Sequence, residues 1–449
     1  MRPASRWSVF AIVWLVAVLC SPIGYLVHSA RAADAAGSTV PAGTKITSAN
    51  WQDYKQFMPP AMQTLFGGQT FWKVPADVEI EIGPTQPMPL PPAYVSDTEK
   101  NANRTTLRKL PEAGYIPEGY VAGIPFPQPL GQHALAPYAI FYDLYYHYNP
   151  RLQRSIYCSY SGDSYGNFTA SGQSDVVYSQ LTHLSDPTIP ATIKTEGNYF
   201  FSKFIQQIAP EQGKYTTSLD LTYEEITKLD DIYTYLPSSR RPIRSSDAAR
   251  CAPLGNSDFT WEDAALGPPG LPQQFDIKYV GDQKILALVH ALPSALKLCG
   301  SSSQLPADYY SPASKGILPW PKPSLGKWEL RDVYVIEMSR LPAFSSGYCY
   351  SRRVLYIDKE TFMPLAIELY DPRGALFKYI TQFWTPMAVP SGGAVLGTDG
   401  PQAGYSINFG DRHVSIALSQ SSCYNTACQP QYLDASQYAS PEGLMKIVQ

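Results

Sequence analysis

Charge is scarce in this chain. Asp, Glu, Lys and Arg make up 16% of its 449 residues, and no block of lysine or arginine interrupts a mildly acidic balance. A nucleic-acid-binding surface needs clustered cations against phosphates, so that class is disfavoured. No P-loop and no dinucleotide-binding fingerprint is present. There is no C-x-x-C pair, no H-E-x-x-H, and no histidine near a cysteine, which argues against zinc. The adjacent acids Glu224-Glu225 and Asp230-Asp231 lack the alternating spacing of a calcium loop, and are expected to form a solvated face. Beyond the N-terminus no apolar run is long enough to span a membrane. No low-complexity linker, internal repeat or charge run divides the chain, although its length alone would allow two or three domains.

What is present begins with a leader. Arg2 and Arg6 precede an apolar run from Val9 to about Leu26, broken by Ser21, Pro22 and Gly24, and Ala30-Arg31-Ala32 comes next. This is the charged, apolar and small-residue order of a cleaved signal peptide, with the cut before Ala33. A membrane anchor and a lipoprotein signal ending at Cys20 are the other readings; Pro22 and Gly24 argue against the first, and the bulky Leu19 against the second. Cleavage removes three arginines and no acid, so a formal charge of −3 becomes −6.

Six cysteines then remain: Cys158, Cys251, Cys299, Cys349, Cys423 and Cys428. In an oxidising compartment an even count suggests up to three disulfides, whose connectivity the sequence leaves open. Cys423 and Cys428 flank only four residues, which makes their small loop the cheapest pairing.

Forty-one prolines, against a usual share of ~5%, and 32 tyrosines suggest many short strands joined by proline-marked turns. The most readable stretch is Tyr350 to Trp384. One strand ends at the turn Asp358-Lys359-Glu360-Thr361; in the next, Met363, Leu365, Ile367 and Leu369 share one face by period-2 alternation; a third returns after Asp371-Pro372-Arg373-Gly374. Further strands are expected at Tyr138–Tyr148, Tyr215–Tyr223, Ile232–Leu236, Phe275–Val280, Ile285–Ala291, Arg331–Met338 and His413–Leu418. Helices are few: one carrying Trp51, Tyr54 and Phe57, one near Pro60 carrying Met62 and Leu65, and one opening at Ser440-Pro441-Glu442. The physical summary is a large, mostly antiparallel sheet with short helices against it.

Catalytic constellations are hard to build. Gly162-Asp163-Ser164-Tyr165-Gly166 matches a G-x-S-x-G nucleophile elbow, but Asn167-Phe168-Thr169-Ala170 directly after it cannot start a helix, so a hairpin loop is expected. His133, His147, His183, His290 and His413 are scattered. A pair of carboxylates assembled in three dimensions stays open as a hydrolase reading. Arg240, Arg241 and Arg244 could bind a phosphate or other anionic headgroup.

Two segments carry a family resemblance. Arg240-Arg241-Pro242-Ile243-Arg244, followed by Gly255-Asn256-Ser257-Asp258-Phe259-Thr260-Trp261-Glu262-Asp263, resembles a segment of outer-membrane lipoprotein-sorting proteins, as does the meander from Val354 to Asp371. With Ile46-Thr47-Ser48-Ala49-Asn50-Trp51, Asp77-Val78-Glu79-Ile80 and Gly119-Tyr120-Val121-Ala122-Gly123-Ile124-Pro125-Phe126-Pro127, the chain is closer still to a proteobacterial domain-of-unknown-function family numbered 1329. That family looks related to the LolA/LolB carriers.

The resemblance implies a mainly β (α+β) fold, a large curved antiparallel half-barrel with a few short helices across its concave face, forming a single domain with insertions over residues 33–449. It implies a non-enzymatic periplasmic carrier of a lipid-like cargo, peripheral to the outer membrane, monomeric and without cofactor or metal. An envelope assembly factor without a small ligand is the alternative. An RND-type exporter and an outer-membrane protein are the implied partners. The cargo face would be Met363, Leu365, Ile367 and Leu369 with Tyr334, Ile336 and Met338, and the headgroup residues Arg240, Arg241 and Arg244. The chain departs from the carriers in being about twice the size of a LolA and in lacking a lipoprotein cysteine.

Overall fold

The structure is a computed structural model that describes residues 39–446, apart from 256, 264–270, 293–304, 313, 389–393 and 397–402. The leader, with Cys20 and Ala30-Arg31-Ala32, and Cys299 lie outside the described residues. Among the described residues no helix is long and apolar enough to cross a membrane.

One antiparallel sheet of 13 strands dominates. In chain order its strands are β1 (Gln153–Gly162), β2 (Phe168–Gln180), β3 (Tyr199–Ala209), β4 (Thr217–Tyr223), β5 (Asp231–Leu236) and β6 (Arg241–Arg244). They continue as β7 (Phe275–Ala287), β8 (Glu329–Arg340), β9 (Arg352–Asp358), β10 (Pro364–Tyr370), β11 (Leu376–Phe383), β12 (Ala403–Asn408) and β13 (His413–Tyr424). Across the sheet the order is β6-β5-β4-β3-β2-β1-β13-β12-β11-β10-β9-β8-β7. Every neighbour is next in sequence except at the centre, where β13 pairs with β1 from Val414↔Gly162 to Tyr424↔Gln153. β6 and β7 are free edges, so the sheet is open.

Its curvature is evident from contacts that a flat sheet forbids. Lys203 on β3 lies 5.8 Å from the ring of Trp261, and the next residue, Glu262, is 2.7 Å from Arg353 on β9. Seven strand spacings separate β3 from β9, which in a flat sheet would be ~34 Å. The sheet therefore wraps around the segment carrying Trp261 and Glu262, which defines the concave face. The described residues between β6 and β7, 245–255, 257–263 and 271–274, are called the crossing segment below.

Helix α1 (Pro60–Gly67) and the tryptophans Trp72, Trp320, Trp328 and Trp384 cover the convex face over Val335, Tyr356, Tyr379, Tyr405 and Ile416. The N-terminal end of α1 meets Glu368 of β10, whose Oε1 accepts from the Ala61 N–H at 2.7 Å. Helix α2 (Pro92–Lys100) lies beside Tyr148 and Tyr424 through Tyr94. On the concave side lies α3 (Ala136–Tyr145). The C-terminal helices α4 (Ala435–Tyr438) and α5 (Gly443–Lys446) come last, and the Gly443 N–H donates to Ser440 Oγ at 3.0 Å, so Ser440 caps as expected.

Three expectations are corrected. The run at Tyr138–Tyr148 is helix α3 for most of its length, not a strand. Its Tyr, Phe and Ile content is strand-like, but Pro137 sits in the first turn and nine of its ten residues are buried. A helix buried all round has no polar face to betray its period. Phe275–Val280 and Ile285–Ala291 are largely one strand, β7, bent by a bulge between Tyr279 and Gly281, where Gly281 has φ 147°. Asp230-Asp231 is no solvated face: both side chains are at most 10% exposed and both are ion-paired. Asp230 meets Arg250 and Asp231 meets Arg244.

Candidate functional site

The concave face has an apolar half and a charged half. The apolar half is floored by β7–β11. Ile277, Ile336, Met338, Leu355, Ile357, Ile367, Leu369 and Ile380 form one buried cluster with Ala139, Ile140, Phe141 and Leu144 of α3. Alternation puts these floor residues on one face, and the strand pairs Ile336↔Leu355 and Leu355↔Ile367 align them in rows.

Of the expected cargo residues, Ile336, Met338, Ile367 and Leu369 come together there, and Tyr334 stands half-buried at its margin, stacked on Phe362 with ring centroids 6.2 Å apart. Met363 and Leu365 do not join them; they belong to the convex core. The register explains the split. Tyr356 pairs with Ala366 but Ile357 pairs with Pro364, so Leu365 is an extra residue in a bulge, and alternation slips by one. Leu355 and Ile357 are floor residues that the sequence reading leaves out, although their place in the preceding strand of the meander carries the same alternation.

The charged half is built around Glu262. Its Oε1 accepts from Arg250 Nε at 2.6 Å, and its Oε2 from Arg353 Nη2 at 2.7 Å and Tyr348 Oη at 2.8 Å, with Arg340 Nη2 at 3.6 Å. Burial alone would raise the Glu262 carboxyl, but Arg353, Arg250 and Arg340 hold it below the usual glutamate range. Burial in turn pulls the Arg353 guanidinium down to about 10. Arg250 also reaches Asp230 at 2.7 Å; burial, with Asp220 alongside, raises that carboxyl. Asp220 binds Lys203 at 3.1 Å.

Further along the same segment, Asp263 accepts from Thr260 Oγ1 at 2.8 Å and lies 3.5 Å from Lys378 Nζ. Asp258 accepts from Ser415 Oγ at 2.9 Å and from His413 Nδ1 at 2.5 Å, and that bond raises the His413 imidazole. The acids of the Ser257–Asp263 motif therefore hold the crossing segment onto strands of both walls.

Two disulfides add covalent ties. Cys251–Cys349 (S–S 2.14 Å) joins the crossing segment to the β8–β9 connection, and Cys423–Cys428 (2.07 Å) closes the small loop expected from spacing. Cys158 is disulfide-bonded as well. In the chain-entropy view a tie across 98 residues is worth more than one across 5. Replacing Cys251 and Cys349 by alanine is expected to cost about 4.7 kcal/mol of unfolding free energy, and the same change at Cys423 and Cys428 about 2 kcal/mol. Urea titration of the two variants checks the order; equal costs would contradict it.

The remaining candidates lie apart from this face or have structural partners. Arg240, Arg241 and Arg244 are exposed at the edge strand β6, and Arg244 is already paired with Asp231. Ser164 sits in the hairpin joining β1 to β2, where Asp163 Oδ1 accepts from the N–H groups of Tyr165 (2.8 Å) and Asn167 (3.0 Å); the next element is a strand, not a helix. His183 meets Glu224 at 2.5 Å and His290 meets Glu329 at 2.5 Å, while burial pulls His147 down to about 4. Among the described residues no group of three or more His, Cys, Asp or Glu could hold a metal ion.

No curated protein matches the chain significantly. Among solved structures, a domain described as outer-membrane lipoprotein-sorting, from Vibrio parahaemolyticus, is 14% identical over 64% of this chain and 90% of its own, with a TM-score of 0.41. A DUF1329 family protein from Desulfovibrio piger is 14% identical over 64% of this chain and 92% of its own, at 0.42. The LolA superfamily protein NE2245 from Nitrosomonas europaea is 12% identical over 64% and 90%, at 0.35. The family model described as "Protein of unknown function (DUF1329)" matches residues 45–434, and the chain belongs to that family.

Proposed function

We propose that this chain is a non-catalytic carrier of the cell envelope, exported by its leader, whose cargo is a lipid-like molecule received on the apolar half of the concave face. The observation that carries the reading is the floor of β7–β11, a broad apolar surface covered by the ten-residue helix α3 together with Tyr115, Tyr120, Ile124 and Phe126. Such a floor left open in water would be an aggregation hazard. Each Å² of apolar cargo surface placed on it contributes roughly 25 cal/mol before costs. Helix α3 hangs from the stretch Gly119–Pro129, which carries two glycines and three prolines among its eleven residues. In this reading the helix covers the floor in the empty protein and gives way to an acyl chain.

A second reading has its own observation. Ion pairs and hydrogen bonds occupy the other half of the concave face, as they would in an assembly factor that presents only its outer surface to partners. One experiment separates the two. The mature protein is purified from its native envelope without detergent, extracted with solvent, and the extract analysed by mass spectrometry. The carrier reading expects a stoichiometric amphiphile. An extract no richer than that of an unrelated protein from the same compartment overturns it and leaves the assembly factor. An RND-type exporter and an outer-membrane protein are the partners to seek by cross-linking in either case.

A further inference from the structure

The charges around Glu262 do not balance. Three guanidiniums, those of Arg250, Arg340 and Arg353, lie within 3.6 Å of this one carboxylate. Asp230, which meets Arg250 at 2.7 Å, is the only other carboxylate within ion-pair distance of the three among the described residues. Residues 264–270, in the same connection, include no acid. Three cations therefore face two carboxylates, and burial raises one of these, Asp230. Despite its burial, Arg250 is held above the usual arginine range by Asp230 and Glu262, whereas burial draws Arg340 and Arg353 below it. The missing counter-charge falls on these last two.

Arg340 and Arg353 stand together. Both approach the same oxygen, Glu262 Oε2, at 3.6 and 2.7 Å. Both lie over the ring of Phe275, at 4.4 and 5.1 Å, and over that of Tyr348, at 4.3 and 5.2 Å. Most of their donors are nevertheless unused. The Arg340 side chain is 9% exposed; its Nη1 donates to the Gln274 side chain, and its Nε has no partner. Arg353 is fully buried, and neither its Nε nor its Nη1 has one. Buried donors are rarely left unbonded, and a buried cation needs an anion to offset its lost hydration.

Strand register joins the pair to the apolar floor. Arg353 pairs with Met338 on one side and Leu369 on the other, and Arg340 pairs with Phe275, all on the concave face. Along β9, Leu355 and Ile357 follow Arg353 at every second position, and along β8, Ile336 and Met338 precede Arg340 in the same way. The row from Ile357 to Arg353 is about 14 Å long. Apolar for most of that length, the rows end on two arginines short of counter-charge. An amphiphile lying along these strands would set its tail on Ile336, Leu355 and Ile357 and its headgroup beside Arg340 and Arg353.

We infer that the Arg340–Arg353 end of the floor is an oxyanion site, which receives the carboxylate or phosphate headgroup of an amphiphile. In laying the tail on the floor, the inference rests on the carrier reading above. Arg340, the less buried of the two, meets the entering oxyanion, and Arg353 adds its charge from deeper in the cluster. Headgroup binding is thereby assigned to the inside of the curved sheet rather than to the exposed arginines of β6.

The test uses the full mature chain, delipidated, and three probes of one chain length: laurate, dodecyl phosphate and dodecanol. Binding is followed by calorimetry at neutral pH. Wild type is expected to bind one or both anions roughly 10- to 100-fold more tightly than dodecanol, the range a charge-assisted hydrogen bond supplies. Which anion is preferred distinguishes a carboxylate from a phosphate headgroup. Arg340→Met is expected to fold, since two guanidiniums then face two carboxylates. It should bind dodecanol at least as well as wild type and lose the preference for the anions, and that result supports the site. Should Arg340→Met fail to fold, Arg340→Gln is read in the same way. A purely structural Arg340 would instead weaken all three ligands together, and that outcome overturns the site. So does a preference that survives in the variant, or dodecanol bound by wild type as tightly as both anions; each leaves the carrier reading standing. No binding of any of the three overturns both.

Discussion

Replacing Glu262 with alanine should lower the unfolding free energy by about 5 kcal/mol, at the upper end of what loss of one partner from a buried ion pair costs. The carboxylate is 1% exposed and is the shared acceptor of Arg250 and Arg353, with Arg340 beyond them. Its removal leaves like charges facing one another in a site where water cannot replace it. The number is the cost of breaking the set, not a measure of what the set contributes, since exchanging buried ion pairs wholesale for apolar residues is often neutral. Arg244→Ala, which removes a cation 64% exposed, should by comparison cost about 0.5 kcal/mol. Urea denaturation of the two variants provides the measurement. A Glu262→Ala cost within about 1 kcal/mol of wild type would mean that the disulfide and apolar packing, not the ion pairs, hold the crossing segment.

Asp143→Asn should change the pH dependence of stability more than any surface substitution. Asp143 is fully buried on α3, its Oδ1 accepting from the Phe126 N–H at 2.8 Å, and burial raises its carboxyl well above the ordinary aspartate range. A folded-state value above the unfolded value means that folding takes up a proton. The contribution is fully present below the unfolded value of ~3.9 and is lost as pH rises, by about 1.4 kcal/mol per unit, until the folded value is reached. Asparagine keeps the shape and the acceptor but does not titrate. The variant should therefore match wild type near pH 4 and gain on it steadily above that. Parallel pH profiles for the two proteins would show that Asp143 is ionised in the fold. Because α3 roofs the apolar floor, the same comparison reports on how firmly that roof is held.

The legibility of this fold varies with what each element packs against. The meander β9–β11 is readable because its turns, Asp358–Thr361 and Asp371–Gly374, are built from turn residues and its strands alternate. A single extra residue at Leu365 then moves Met363 and Leu365 to the other face, and no local signal marks it, since both faces are buried and both accept leucine. Helix α3 escapes pattern reading for the same reason: with nine residues buried it has no polar stripe to count. The acids Asp258, Glu262 and Asp263 stand in a recognisable motif, but their partners Arg353, Lys378 and His413 lie 91, 115 and 155 residues away, so spacing cannot reveal their role.

The strand order has a consequence for how such a chain can be made. β1 opens the sheet at its centre, and its second neighbour, β13, is the last strand to be synthesised. A chain interrupted before His413 would hold two separate six-strand sheets, each ending in a raw edge where the other should begin. Those edges, on β1 and β12, are long enough to recruit strands from other chains. The final strand therefore acts as a completeness check: only a full-length polypeptide can fasten the two halves, and a truncated one is marked for capture by the edges it leaves exposed.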